Sequence, residues 1–256
     1  MIKLVDIFQH YGIRPVLKNI NMEIKEGELV VVMGPNGMGK TTLLMVMAGV
    51  LWPQKGYSEI DGKKRRSSEE AELAIRQQVC FLPADPWLPD FMTGREYLLS
   101  VGRIYDIEDE RLMDHIDRVT TLFNLYDKQD STIGMYSTGQ RKKISLASAL
   151  VTEAKILLLD EPFSGGLDPS GIVALKKVLH KLADRKDVTI VMTTPVPELV
   201  EELAHRIAVI KDGELAAFDT ADGLRKITNC EGSLEDVMER LMEPGTYENI
   251  KNYFKE

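Results

Sequence analysis

The sequence predicts an α/β fold: a parallel sheet flanked by helices, with an antiparallel β lobe at the N-terminal side and a smaller helical lobe. Three observations carry this expectation. Leu29-Val30-Val31-Val32-Met33 is a short apolar, β-branched run of the kind that makes a buried strand. It leads through Gly34-Pro35-Asn36-Gly37-Met38-Gly39-Lys40-Thr41 into 42–49, which has helical content and a glycine stop. Strand, glycine-rich loop ending in Gly-Lys-Thr, then helix is the P-loop in its proper context, so the core is expected to be that of a P-loop NTPase. Ile156-Leu157-Leu158-Leu159 reads as a second fully buried strand, closed by Asp160 and Glu161. Further apolar runs at 79–83 and 188–192 are interleaved with helix-period stretches, the pattern of a parallel sheet.

At 256 residues the chain is long for one compact domain and short for two, which fits one α/β core with an appended lobe. A hydrophobic share of 44% and a charged share of 28% are ordinary for a globular protein. The balance of 32 basic against 40 acidic residues, a net −8, argues against a general nucleic-acid binder, which needs a net basic face. Cys80 and Cys230 lie far apart and belong to no metal or redox pattern, so they read as free thiols in a reducing compartment. No apolar stretch approaches ~18 residues, and the N-terminus goes straight into a strand pattern rather than a signal peptide. A cytosolic protein is expected.

In chain order, residues 3–8 and 17–24 read as strands on either side of His10-Tyr11-Gly12-Ile13-Arg14-Pro15, a turn-rich loop. Tyr11 is then an aromatic ahead of the nucleotide strand, placed for stacking on an adenine ring or for plain edge packing. In the P-loop the glycines let successive amides point at phosphate oxygens, the new helix adds the positive end of its dipole, and Lys40 adds a full charge. Thr41 offers a hydroxyl where a magnesium ion bridging the phosphates needs a ligand. Asp61-Gly62 is a hairpin signal. The basic run Lys63-Lys64-Arg65-Arg66, followed by Ser67-Ser68-Glu69-Glu70, reads as a solvated loop before a capped helix rather than a nucleic-acid patch.

The strand at 79–83 leads into Ala84-Asp85-Pro86-Trp87-Leu88-Pro89-Asp90-Phe91-Met92, a proline-stiffened loop expected to expose Trp87, Leu88, Phe91 and Met92. Helical patterns over about 94–126 form the smaller lobe. In Tyr136-Ser137-Thr138-Gly139-Gln140 the spacing of Ile144, Ala147, Leu150 and Val151 starts a helix near Gln140, with Ser137 and Gln140 as a capping box. Hydroxyl, glycine and helix N-terminus make a second anion-ready site, or an ordinary cap. Asp160 and Glu161 stand at the C-terminal end of a buried strand, where open parallel sheets place ligands. Asp160 is placed to hold magnesium through water and Glu161 to orient or deprotonate an attacking water. Phe163-Ser164-Gly165-Gly166-Leu167-Asp168-Pro169 is a glycine turn whose proline suits the first position of a helix over about 170–185. A strand pair around Lys211-Asp212-Gly213 and a helical, charged tail from Thr220 complete the chain.

The P-loop, the 136–140 stretch, the Leu-Leu-Leu-Asp-Glu-Pro strand and the 164–168 loop occur in the order and spacing of ATP-binding cassette (ABC) ATPase subunits, which the chain resembles over nearly its whole length. The resemblance implies an ABC ATPase domain over 1–230, with a helical signature lobe at about 84–150, and a C-terminal helical tail over 231–256. It implies ATP and magnesium as cofactors. The phosphates would be held by Gly34, Pro35, Asn36, Gly37, Met38, Gly39, Lys40, Thr41 and Thr42, the metal by Thr41 and Asp160, and the adenine by Tyr11, with Glu161 polarising the water. Two subunits, identical or related, would pack head to tail. Each ATP would lie between the P-loop of one and Ser137, Gly139 and Gln140 of the other, with Asp168 as a further nucleotide-binding residue. A separate membrane permease is the implied partner, placing the chain on the inner face of the cell membrane, with no nucleic acid involved. Residues 232–237 resemble the ends of exporter ATPases, which points to export.

Four departures from the family pattern matter. Its usual Gln falls on Ala84, its switch His on Pro195 or Thr194, one of its signature glycines on Thr138, and the loop after Pro162 carries an extra glycine, Gly165 or Gly166. Hydrolysis is therefore expected to be slow, and a regulatory protein that binds ATP and hydrolyses it weakly is the alternative. His205 is expected to be structural. A ribosome-acting role is disfavoured by the single cassette, and a DNA-repair role by the lack of a long insertion between P-loop and signature.

Overall fold

The structure, a computed structural model, describes residues 1–242 and Tyr253. Most of the tail beyond residue 242 that was read from the sequence as helical lies outside the described residues. The strands are β1 (Ile2–Tyr11), β2 (Arg14–Ile24), β3 (Leu29–Met33), β4 (Lys55–Ile60), β5 (Lys63–Lys64), β6 (Val79–Leu82), β7 (Ile156–Leu159), β8 (Thr189–Thr193), β9 (Arg206–Lys211) and β10 (Glu214–Asp219). One sheet is antiparallel, in the order β2-β1-β4-β5; the other runs β10-β9-β3-β8-β7-β6, parallel throughout except for β10 against β9. The helices are α1 (Lys40–Ala48), α2 (Glu69–Arg76), α3 (Gly94–Ile104), α4 (Asp109–Leu122), α5 (Thr138–Val151), α6 (Pro169–Arg185), α7 (Pro197–Leu203), α8 (Ala221–Thr228) and α9 (Leu234–Met242). The predicted α/β architecture, with its antiparallel and helical lobes, is the observed one.

The parallel strands are buried on both faces, so successive residues feed two different cores. Leu29, Val31, Met33, Leu157, Leu159, Ile190 and Met192 face the cluster shared with the helical lobe and with Leu234, Val237 and Met238 of α9. Val30, Val32, Ile156, Leu158 and Val191 face the other, completed by Leu43, Leu44 and Met47 of α1 and by Ile2, Leu4, Ile7, Leu17 and Ile20 of the antiparallel sheet. α1, which follows the P-loop, is thereby clamped between the two sheets. Both cysteines are free and buried, and burial pushes the Cys80 thiol up to about 11. No helix among the described residues is long and apolar enough to cross a membrane.

Several local expectations are corrected. The strands read at 3–8 and 17–24 extend to Tyr11 and from Arg14, because register shifts let the first hairpin keep pairing up to Tyr11 opposite Arg14. Only Gly12, with φ 62°, and Ile13 remain as the turn. α5 begins at Thr138 rather than near Gln140, since Ser137 itself is the N-cap in a complete capping box with Gln140. In the 84–92 loop Trp87 and Phe91 are exposed, but Leu88 is buried in the first core and Met92 is half-buried.

The basic run holds the largest correction. Ser68 does cap α2, accepting from the Ala71 amide at 3.1 Å, but Arg65 is among the most buried side chains rather than a solvated one. Its Nε donates to the Met47 carbonyl at 2.9 Å and its Nη1 to Glu72 Oε1 at 2.9 Å. The guanidinium packs on Gly49, where a Cβ would stand 2.4 Å from Nη1. Arg65 therefore places a positive charge at the C-terminal end of α1 and takes up one of its last carbonyls. Removing one partner of a buried pair strands the other. Arg65→Ala is expected to destabilise the fold by about 3 kcal/mol in urea unfolding, whereas Arg66→Ala, at an exposed guanidinium over the Trp52 ring, costs less than about 1 kcal/mol.

Candidate nucleotide-binding site

Between β3 and α1 the chain must turn sharply against two neighbouring backbones. Gly34 has φ 151°, and a Cβ there would lie 2.2 Å from the Ile210 carbonyl oxygen. Gly39, at φ 99°, would place a Cβ 2.8 Å from the Val16 carbonyl of β2. Both positions require glycine. Gly39 is also the N-cap of α1 and brings no capping side chain, and the first turn holds no acid. α2, α3, α5, α6 and α8 all have such caps, so the amides at the start of α1 lack a side-chain acceptor where these helices have one. Lys40 is 7% exposed, and its ammonium donates to the Gly34 carbonyl at 2.7 Å, the Pro35 carbonyl at 3.0 Å and Asn36 Oδ1 at 3.5 Å. Burial lowers its pKa, and the charges of Glu161 and Asp160 oppose that.

At the C-terminal end of β7 the two acids are held differently. Asp160 is 3% exposed: Oδ2 accepts from the Thr41 hydroxyl at 2.8 Å and Oδ1 from the Thr193 hydroxyl at 2.6 Å. Glu161 sits in the left-handed region at φ 44°, a conformation that persists only when its surroundings impose it. Its amide donates to Thr193 Oγ1 at 2.8 Å, and its carbonyl accepts from Ser164 Oγ at 2.8 Å and from Lys142 Nζ at 3.1 Å. The Ser164 hydroxyl also lies 3.1 Å from Glu161 Oε2. Lys40, Thr41, Asp160 and Glu161 are thus brought together as the sequence predicts. Thr193, Ser164 and Lys142 had no site role in the sequence reading. For Thr193 a signal existed, because it ends a parallel strand as Asp160 follows one.

The remaining predicted residues lie apart from the P-loop. Ser137 and Gln140 bond each other in the capping box, Ser137 and Thr138 are exposed, and a Cβ on Gly139 would meet the Gly166 carbonyl at 2.8 Å. Among the described residues no hydrogen bond or ion pair joins Ser137, Gly139 or Gln140 to the P-loop. Asp168 caps α6 through the Gly171 amide at 2.8 Å and pairs with Lys143 at 2.8 Å; Lys143 first, then that amide, holds its carboxyl below the ordinary range. Tyr11 is 54% exposed at the tip of the first hairpin, whose β2 strand touches Gly39. His205 is structural: its Nδ1 accepts from the Leu29 amide at 2.9 Å, and its own amide donates to the Leu29 carbonyl at 2.9 Å. A cavity of about 770 Å³, lined among others by Lys155, Leu157 and Val188, lies at the opposite, N-terminal end of β7 and β8, away from this arrangement.

A family model described as ABC transporter matches residues 17–164. The chain belongs to the ABC transporter family. It is 32% identical over 220 residues to the daunorubicin resistance ATP-binding protein DrrA3 of Streptomyces coeruleorubidus, covering 86% of this chain and 68% of that one. It is 31% identical over 216 residues to the cobalt import ATP-binding protein CbiO of Salmonella typhimurium, covering 84% and 79%. A dimeric post-hydrolysis state of the ATP-binding cassette MJ0796 bound to ADP and Pi superposes with a TM-score of 0.78 at 27% identity, over 86% of this chain and 98% of that one. The resemblance drawn from the motifs is borne out, and the protein is an ATP-binding subunit of the ABC transporter type.

The ABC ATPase core makes Thr193 a test of the acid pair. Thr193→Val keeps the shape but leaves Asp160 Oδ1 and the Glu161 amide without their partner. ATP turnover, followed by phosphate release, is expected to fall about 10²-fold through misplacement of the two acids, while Thr193→Ser retains most of it.

Proposed function

We propose that this ABC ATPase closes ATP between itself and a second cassette, identical or related, and hydrolyses it, and that the cycle drives transport, in the export direction, through a separate membrane permease. The observation that carries this reading is the uncapped start of α1 with Lys40 and Thr41 set against Asp160 and Glu161. Amides and an ammonium are ready for phosphate oxygens, beside a buried acid and a constrained one. The oxygen donors of Thr41 and Asp160, 2.8 Å apart at the edge of the loop, suit a hard cation such as magnesium. When bound there by these two residues, magnesium offsets the charge of the β- and γ-phosphates.

In this reading residues 34–42 wrap the phosphates, and Lys40 exchanges its loop carbonyls for β- and γ-phosphate oxygens. Tyr11 stacks on the adenine. Glu161 orients a water toward the γ-phosphorus and draws off its proton as the bond to the leaving ADP breaks. Ser137, Gly139 and Gln140 of the second cassette close the site, with Asp168 as a further nucleotide-binding residue: Ser137 is exposed, and among the described residues no hydrogen bond or ion pair joins these three to the P-loop of their own chain. Residues 1–230 act as the ATPase domain and 231–256 as its C-terminal tail, of which Leu234, Val237 and Met238 pack into the core shared with the helical lobe. The export direction is carried over from the relative named for daunorubicin resistance and from the 232–237 stretch, although another relative is named for cobalt import.

Turnover is slow in this reading. Ala84 and Pro195 have no side-chain polar atom to offer water or γ-phosphate. Thr194, 1% exposed, has its hydroxyl accepting from the Val196 amide at 3.3 Å within its own turn. This favours a second reading, an ATP-gated regulatory clamp with weak hydrolysis, which steady-state turnover separates from the first.

Two experiments test the proposal. Glu161→Gln is expected to give a stable dimer in ATP, and Ser137→Arg to prevent it; equal masses with and without ATP for both variants, by light scattering, would rule the sandwich out. Trp87 and Phe91, 79% and 78% exposed in the loop between core and helical lobe, are the proposed permease contacts. Trp87→Ala and Phe91→Ala are expected to dimerise normally yet to lose recovery with membranes when co-expressed with the permease. Loss of folding instead would make both residues packing groups.

A further inference from the structure

Two consecutive residues of α5 hold the two ends of the 84–92 loop. Arg141 Nη1 donates to Asp90 Oδ1 at 2.6 Å and to the Ile133 carbonyl at 3.1 Å. Lys142 reaches the other end: its Nζ donates to the Ala84 carbonyl at 3.2 Å and to the Glu161 carbonyl at 3.1 Å. Its stem runs beside the glycine turn, with Cδ 3.5 Å from where a Cβ on Gly165 would stand. The residue is only 5% exposed. A buried ammonium is costly unless its surroundings compensate it, and a methionine would fill the same space without that cost. Here the charges of Glu161, Asp160 and Asp85 oppose the desolvation. What the ammonium adds over an apolar side chain is a link between two carbonyls from segments far apart in sequence.

The two segments matter. Ala84 begins the loop that carries Trp87 and Phe91, and its methyl side chain cannot itself reach the site. Glu161 is the constrained acid, and the carbonyl that Lys142 holds belongs to the same residue as the carboxylate. A shift of the loop at Ala84 pulls on the ammonium, and the ammonium acts directly on the Glu161 backbone.

We propose that Lys142 is a positioning residue that yokes the exposed 84–92 loop to the backbone of Glu161, so that the state of the loop sets the orientation of that carboxylate. The proposal rests on the reading of Glu161 as the group that orients the attacking water.

The test uses the full chain. Lys142→Met keeps the stem and removes the ammonium. Its kcat is expected to fall about tenfold or more, with KM for ATP and the calorimetric ATP affinity within about twofold of wild type, and Lys142→Arg should restore most of kcat. In a Trp52→Phe background Trp87 emission reports on the loop. ATP is expected to change that emission in the parent and not in Lys142→Met, although the variant still binds ATP. A Lys142→Met protein with unchanged kcat, or with the Trp87 response retained, overturns the proposal. So does a parallel loss of kcat and ATP affinity that arginine does not repair, which would make Lys142 a packing residue. Should Lys142→Met fail to fold, Lys142→Leu, which likewise has no donor, serves in the same comparisons under the same criteria. Glu161→Gln separates the two readings: if it still turns over, the role of Glu161 fails, while the yoke itself is judged on the Trp87 signal.

Discussion

The hydrogen bonds of Asp160 are the constraint on which the rest of the molecule depends. A carboxylate with 3% exposure must have its oxygens matched, and the two are matched by hydroxyls from different elements, Thr41 on α1 and Thr193 at the end of β8. Its amide is tied to the Leu82 carbonyl of β6 at 2.8 Å. One residue thus joins the P-loop helix to two strands of the parallel sheet, and α1 cannot slide against the sheet without leaving a buried charge unpartnered. Arg65 fixes the other end of α1, and the glycines at 34 and 39 let the loop between pass close to the Ile210 and Val16 carbonyls.

The charge of the site runs against that of the chain. Acidic residues outnumber basic ones by 40 to 32, yet three largely buried lysines, Lys40, Lys142 and Lys143, gather around the acids and loop carbonyls. Phosphate recognition in this fold needs local cations and oriented amides rather than a basic protein, which is why an acidic composition argues against a general nucleic-acid binder without arguing against a nucleotide.

What was legible in the sequence was what is local. The P-loop, the acids ending β7, the capping box at Ser137 and the proline opening α6 are each written within a few consecutive residues, and the structure forms all of them. What was missed depends on contacts distant in sequence. Arg65 looked solvated because nothing in its neighbourhood shows that Met47 and Gly49 will come to meet it. Leu88 looked exposed because an irregular proline loop has no periodicity to say which side chains turn inward. The roles of Thr193 and Lys142 come from partners 33 and 19 residues away along the chain, one across the ends of neighbouring strands and the other from helix α5 to the end of β7.

Pro15 lies within β2, at the edge of the antiparallel sheet and opposite His10. An edge strand ordinarily offers a row of free donors to any other chain, and a proline there withdraws one. A neighbouring molecule that tried to lengthen this sheet by adding a strand would meet a gap in its ladder. Edge-to-edge stacking, the route by which β proteins form open-ended fibres, is discouraged at this end of the molecule.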